Sequence, residues 1–214
     1  PKLDKSMFRS DADYVYICMN NTIYGTVYHE IPDTGNIPLI ADISSCFLSE
    51  PIDVTKFGML YGGAQKNVAP AGLTICIIRE DLLGNARDIT PTMLNYTIHA
   101  DANSLYNTPP CYTIYICKLV LEWIKELGGL EKMKERNEKK AKLLYGTLEQ
   151  YPLFHLYVEK ESRSRMNVTF STGDADLDAR FIQGAAEHGL VNVKGHRLLG
   201  GMRASIYNAM DLDG

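Results

Sequence analysis

The chain has 214 residues, of which 45% are hydrophobic, 22% charged and 9% aromatic, with 22 basic residues against 26 acidic ones. That is the composition of a globular protein, and it excludes collagen-like, coiled-coil and disordered chains. A chain of this length can bury roughly 70–75% of its unfolded surface, enough for a sizeable core. The net charge of −4 argues against nucleic acid or an anionic membrane as the principal partner. No apolar run reaches the ~18–20 residues of a membrane span. Nor does an apolar leader follow Pro1, Lys2 and Leu3, so a cytoplasmic protein is expected. Cys18, Cys46, Cys76, Cys111 and Cys117 lie mostly in apolar runs and are expected to be reduced core residues. No Cys/His set has zinc spacing, so no structural metal is expected.

In chain order, short apolar or β-branched runs at 14–18, 39–43, 59–61 and 73–78 predict strands, each followed by a polar or Gly-rich turn. Runs of this kind suit a sheet covered on both faces. Helical spacing of Tyr112, Ile116, Leu119, Val120, Trp123 and Leu127 predicts a helix over 111–127, ended by Gly128 and Gly129. A second helix is predicted over 130–149, with Leu130, Met133, Ala141, Leu144 and Leu148 on one stripe. Its charged residues (Lys132, Lys134, Glu135, Arg136, Glu138, Lys139, Lys140 and Lys142) are expected to form a solvated face. Strands at 166–170 and 203–207 flank a helix over 176–188, opened by Asp174 or Asp176 as a cap. Strands, then helices, then strands predict an α/β layer followed by a smaller α+β layer. The expected division places a cofactor-binding α/β domain at 1–125 and a small α+β domain at 126–214.

In open α/β sheets, polar residues just past the carboxyl ends of strands build sites. Three such segments occur: Asn20 to Gly25, Asp42 to Ser45, and Gly62 to Asn67 followed by Pro70-Ala71-Gly72. Singly, each has a plainer explanation: Asp42 as a helix cap, Lys66 as an exposed loop lysine, Thr22 as a turn cap. Together, an Asp ending one strand and a Lys in a small-residue loop after a later one match what pyridoxal phosphate chemistry requires. The lysine must lose part of its solvation to become nucleophilic, well below its free pKa of ~10.4. The carboxylate must keep the cofactor's pyridine nitrogen protonated, so that the ring acts as an electron sink.

Gly62-Gly63-Ala64-Gln65-Lys66-Asn67 followed by Pro70-Ala71-Gly72 closely resembles the cofactor-lysine signature of the phosphoserine aminotransferases. Asn21-Thr22-Ile23-x-Gly25, Ala41-Asp42-x-Ser44-Ser45 and Asn107-Thr108-Pro109-Pro110 resemble the same family. So do Ser164-Arg165-Met166-Asn167, Lys194-Gly195-His196-Arg197, and the run from Gly200 to Ala209, all in collinear order. The resemblance implies a fold-type-I pyridoxal phosphate enzyme. It would interconvert 3-phospho-L-serine plus 2-oxoglutarate and 3-phosphohydroxypyruvate plus L-glutamate by ping-pong transamination in serine biosynthesis. It implies that Lys66 holds the cofactor covalently and then moves the proton, that Asp42 pairs with the pyridinium nitrogen, and that Thr22 bonds the phenolic oxygen. Gln65 would help hold the cofactor phosphate, and Asn107 and Thr108 would reach the cofactor of the other subunit in a homodimer with a composite site. Arg203 would bind the substrate α-carboxylate as a bidentate fork, with His196 and Arg197 on the substrate phosphate.

Without the resemblance, His196 and Arg197 read as surface charge and Arg203 as a structural ion pair. The resemblance starts midway along a family chain. The expectation is therefore a fragment lacking its N-terminal portion and extreme C-terminus, inactive and weak in cofactor binding on its own, with its N-terminal complement lost or supplied by another chain. Its core would be incomplete at one sheet edge, leaving apolar surface near the first strand. The alternatives are an inactive structural fragment or another fold-type-I aminotransferase; a desulfurase would need a catalytic cysteine on a mobile loop, a context none of the five has.

Overall fold

A computed structural model describes residues 3–214. The first sheet is four-stranded, in the order β1 (Val15–Cys18), β4 (Leu39–Asp42), β5 (Met59–Gly63), β6 (Thr74–Ile78). β1, β4 and β5 are parallel and β6 closes antiparallel on β5. Alternation decides its faces. Val15, Ile17, Leu39, Ala41 and Leu60 point to one side and are buried with Ile43, Phe47, Phe57 and Val68. Fully burying a Leu or Val side chain contributes roughly 1.5–3 kcal/mol, so this side holds the sheet.

The opposite side carries Tyr16, Cys18, Asp42, Tyr61 and Cys76, and Tyr16 is 51% exposed. The sheet is therefore fully covered on one face only, and the other leaves Tyr16 open near the first strand. The apolar surface expected near the first strand is there, in Tyr14 and Tyr16.

Between β1 and β4 lies a short hairpin, β2 (Asn20–Asn21) with β3 (Thr26–Val27). After β6 come the short helix α1 (Tyr96–Asp101), then α2 (Cys111–Glu126) and α3 (Gly129–Gln150). Gly128, at φ +101°, takes the left-handed turn that breaks the two long helices apart. The last sheet orders β7 (His155–Leu156), β8 (Asn167–Ser171) and β9 (Met202–Ser205), all antiparallel. Helix α4 (Ala175–Glu187) joins β8 to β9, and its cap is Asp174, which accepts from the N–H groups of Asp176 and Leu177 at 2.8 and 2.9 Å. Leu148, Val168, Phe170 and Met202 form a second core, with Phe154, Phe170 and Phe181 edge-to-face at 5.5–5.8 Å.

Two further expectations need correction. Cys76 and Cys111 are exposed rather than core, because β6 is an edge strand and Cys111 opens α2 on its outer side. Lys140 does not belong to the solvated face of α3: it is 4% exposed and donates to the carbonyls of Ile206 and Tyr207 at 3.1 and 2.8 Å. The chain after β9 runs across α3 and buries the lysine together with Asn137.

Candidate active site

The parallel register aligns Cys18 and Asp42, at the carboxyl ends of β1 and β4, in one row with Tyr61 in the middle of β5. Beyond each of these strands the chain turns over that row. After β4, Asp42 Oδ1 accepts from the Ser44 N–H at 2.7 Å, and the Ser44 hydroxyl accepts from Gly63 N–H at 3.0 Å. The Asp42 turn is thus tied to the end of β5. After β5, the Ala64 carbonyl accepts from Val68 and Ala69 at 2.9 and 3.0 Å, winding one helical turn around Lys66. After β1, the hairpin tip carries Thr22, whose hydroxyl accepts from Lys66 Nζ at 2.6 Å.

Lys66 is half-buried, and burial lowers its pKa from the ordinary lysine value; the Asp42 carboxylate opposes that shift and the Arg203 guanidinium adds to it. Burial and the neighbouring Asp42 raise the Cys18 thiol. Tyr61 is raised by its hydrogen bond with Tyr16, by burial and by Asp42, and the two phenol oxygens lie 3.0 Å apart.

Arg203 reaches the same cluster from β9. Its Nη1 donates to the Thr22 carbonyl at 3.3 Å, while its Nε is buried with no partner. Among the described residues no carboxylate is within ion-pair distance of Arg203, so the plainer explanation as a structural ion pair fails. A buried guanidinium N–H left open costs free energy unless an acceptor arrives, and a planar carboxylate fits that fork. Lys66, Thr22, Asp42 and Arg203 therefore meet at one end of one sheet.

The remaining residues expected from sequence are placed differently. Gln65 is exposed beside Lys66, its amide folded back towards Gly63. His196 and Arg197 sit in a turn where the His196 carbonyl accepts from Leu199 and Gly200 at 2.9 and 2.8 Å. That turn is anchored alongside Arg203 by bonds from Arg203 N–H to the Val193 carbonyl and Gly195 N–H to the Gly201 carbonyl, at 2.7 and 2.8 Å. Asn107 and Thr108 are exposed between α1 and α2; among the described residues the Asn107 amide bonds the Thr108 carbonyl at 3.2 Å and neither side chain bonds Lys66. Tyr16 and Tyr61 join the site without a sequence signal of their own, and Cys18 joins it where a core residue is expected. The signal for them is strand register, which places Cys18 and Tyr61 on either side of Asp42 and which no sequence spacing reveals.

A carboxylate at one strand end and a half-buried lysine after the next thus lie together on an α/β sheet of the fold-type-I pyridoxal phosphate transferase kind. The chain belongs to the class-V aminotransferases, whose family model matches residues 1–214. The phosphoserine aminotransferase of Bacillus cereus is 54% identical over 214 residues, which are 100% of this chain and 59% of that protein. A solved phosphoserine aminotransferase, described for radiation damage of its Schiff base, superposes with a TM-score of 0.93 at 47% identity, covering 99% of this chain and 59% of its own. The PLP-bound phosphoserine aminotransferase of Trichomonas vaginalis gives a TM-score of 0.92 at 39% identity, covering 96% and 59%. The chain thus spans 59% of the length of the Bacillus relative.

Proposed function

We propose that the protein to which this chain belongs is a phosphoserine aminotransferase. It would interconvert 3-phospho-L-serine plus 2-oxoglutarate and 3-phosphohydroxypyruvate plus L-glutamate. The observation that carries the reading is the convergence of Lys66, Thr22, Asp42 and the open fork of Arg203 at one sheet end. The residues fit pyridoxal phosphate: a partly desolvated amine, a carboxylate, a hydroxyl and two adjacent glycines. Lys66 would hold it covalently, Asp42 would face its ring nitrogen, Thr22 its phenolic oxygen, and Gln65 would contribute to its phosphate site. When bound, pyridoxal phosphate supplies the electron sink that stabilises charge left at the substrate α-carbon.

The chain's own residues do the rest. Arg203 orients the substrate carboxylate so that the α-hydrogen faces Lys66, and the Lys66 Nζ carries that proton as general base and then acid. His196 and Arg197 bind the substrate phosphate and so select phosphoserine. The division into a cofactor-binding domain at 1–125 and a small domain at 126–214 belongs to the same proposal, as does a cytoplasmic location. So does a homodimer in which Asn107 and Thr108 serve the other copy's site, an assignment supported by their exposure away from Lys66. A complementing N-terminal segment over the open sheet face completes the proposal.

Borohydride reduction of the full-length, cofactor-loaded protein followed by peptide mapping tests the reading. The label is expected on Lys66; a label on any other lysine overturns it.

A further inference from the structure

We propose that Asn20, Ser164 and Asn167 form a positioning clamp that sets the span between Lys66 and Arg203, and with it where a bound carboxylate lies relative to the reacting amine. The inference rests on the proposed aminotransferase function. Lys66 belongs to the first sheet and Arg203 to the last, so their separation depends on how the two sheets are joined. The join is the segment from Asn20 to Gly25, the one carrying the Lys66 partner Thr22, and it lies against β8 and β9.

The side-chain bonds at that join close on themselves. Asn20 Nδ2 donates to Ser45 Oγ at 2.7 Å and to Asn167 Oδ1 at 2.9 Å, and its Oδ1 accepts from the Ser164 hydroxyl at 2.5 Å. The Ser164 oxygen accepts in turn from the N–H groups of Met166 and Asn167 at 3.0 and 2.9 Å. Asn167 Nδ2 donates to Ser205 Oγ at 3.0 Å and to the Tyr207 hydroxyl at 3.2 Å, both on the Arg203 segment. Both N–H donors of each amide are used. Asn20 is 2% exposed, and Ser164 and Asn167 are 0% exposed.

Bonds to the backbone carbonyls of the hairpin repeat the join. Ser164 N–H bonds the Gly25 carbonyl at 2.9 Å, Thr169 Oγ1 the Tyr24 carbonyl at 3.0 Å, and Arg203 itself the Thr22 carbonyl at 3.3 Å.

An apolar contact of similar size would hold two sheets together but leave them free to slide. A closed set of directional bonds in a low-dielectric interior admits one register. Asn167 pairs with Ser205 across the ladder, and Arg203 stands two residues along from Ser205. A slip at Asn167 is therefore a displacement of the guanidinium relative to Lys66. Asn20, Ser164 and Asn167 are positioning residues that act through Arg203.

The experiment is a double-mutant cycle on the full-length protein loaded with pyridoxal phosphate. The probe is maleate, a dicarboxylate that cannot react, and the readouts are its Kd by cofactor absorbance and the absorbance maximum of the Lys66-bound cofactor. Arg203→Lys is expected to weaken maleate, and Asn167→Ala to weaken it about tenfold with the absorbance maximum unchanged. The double variant is expected to bind no more weakly than Arg203→Lys alone, since a displaced fork costs nothing once the fork is gone. If the two losses multiply, the clamp is overturned while the functional reading stands. If Arg203→Lys leaves maleate unchanged, both fall. Ser205→Ala removes one acceptor of Asn167 from a half-buried position and gives the same cycle with a smaller effect should Asn167→Ala fail to fold; additivity there overturns the proposal equally.

Discussion

Lys66 is held between opposing influences, and the balance can be measured. Burial and the Arg203 guanidinium lower its pKa, while Asp42 raises it. Only the neutral amine is a nucleophile, so a lower pKa means more reactive lysine at a given pH. Asp42→Asn removes the opposing charge and should move the pH midpoint of Lys66 reductive methylation in the cofactor-free chain downward. Peptide mapping across a pH series checks this; an unmoved or raised midpoint means Asp42 does not act on the amine. Gly25, at φ +73°, is a second residue whose role is local. An added Cβ would lie 2.7 Å from the Asn167 carbonyl oxygen and 2.8 Å from Thr169 Oγ1. Gly25→Ala should cost roughly 1–2 kcal/mol for the left-handed backbone alone, with more from the overlap. Denaturant unfolding should place its midpoint clearly below that of the parent chain; an equal midpoint would mean the hairpin tip is free to move off β8.

At the scale of elements, α3 carries a charge that the fold hides. Burial and Arg136 lower the Lys140 pKa to about 8, with Asp211 working against them. The unfolded chain keeps the ordinary value near ~10.4. Between those two values the unfolded state binds more protons, so rising pH favours the folded state through that window and the penalty is complete below it. The neutral amine still has two N–H donors for the two carbonyls it serves. Stability measured from pH 7 to pH 10 should therefore rise for the parent chain relative to Lys140→Met; parallel curves would show that the lysine is charged throughout. This element also marks where sequence reading stops. The apolar stripe of α3 is legible from Met133, Ala141 and Leu148, all of which are buried. Lys140 lies next to that stripe, and only the crossing of the segment after β9 turns it inward, a tertiary event that periodicity does not encode. The same holds for the hairpin of β2 and β3, whose two-residue strands are too short to leave a pattern. By contrast, the four runs of the first sheet and the cap at Asp174 are readable because each rests on local chemistry. In the site, Lys66, Thr22 and Asp42 follow strand ends and could be found. Tyr61 and Asn167 owe their places to register between strands far apart in the chain.

For the whole molecule, the question is why a chain with two cores should bring one set of residues to a single end. The first core fixes Lys66 and Asp42 through β4 and β5, and the second fixes Arg203 through β8 and β9. The loop from Val193 to Gly201 is tied back by backbone bonds at Arg203 and at Gly201, so His196 and Arg197 are held to the same strand as the Arg203 guanidinium. In the proposed enzyme such an arrangement would measure a substrate by length: a carboxylate at Arg203 would place its other end at a set reach, where His196 and Arg197 would meet a phosphate or meet nothing. Charged hydrogen bonds of this kind contribute roughly 1.5–3 kcal/mol each. In the full-length protein, Arg197→Ala should therefore lower kcat/KM for phosphoserine about 10–100-fold, while unphosphorylated serine and alanine, which never engage that end, should change little. Comparing the three amino acids in parental and variant enzyme gives the ratio directly. An equal loss on all three would mean that Arg197 supports the fold of the loop instead of reading the phosphate, and the assignment of His196 would fall with it.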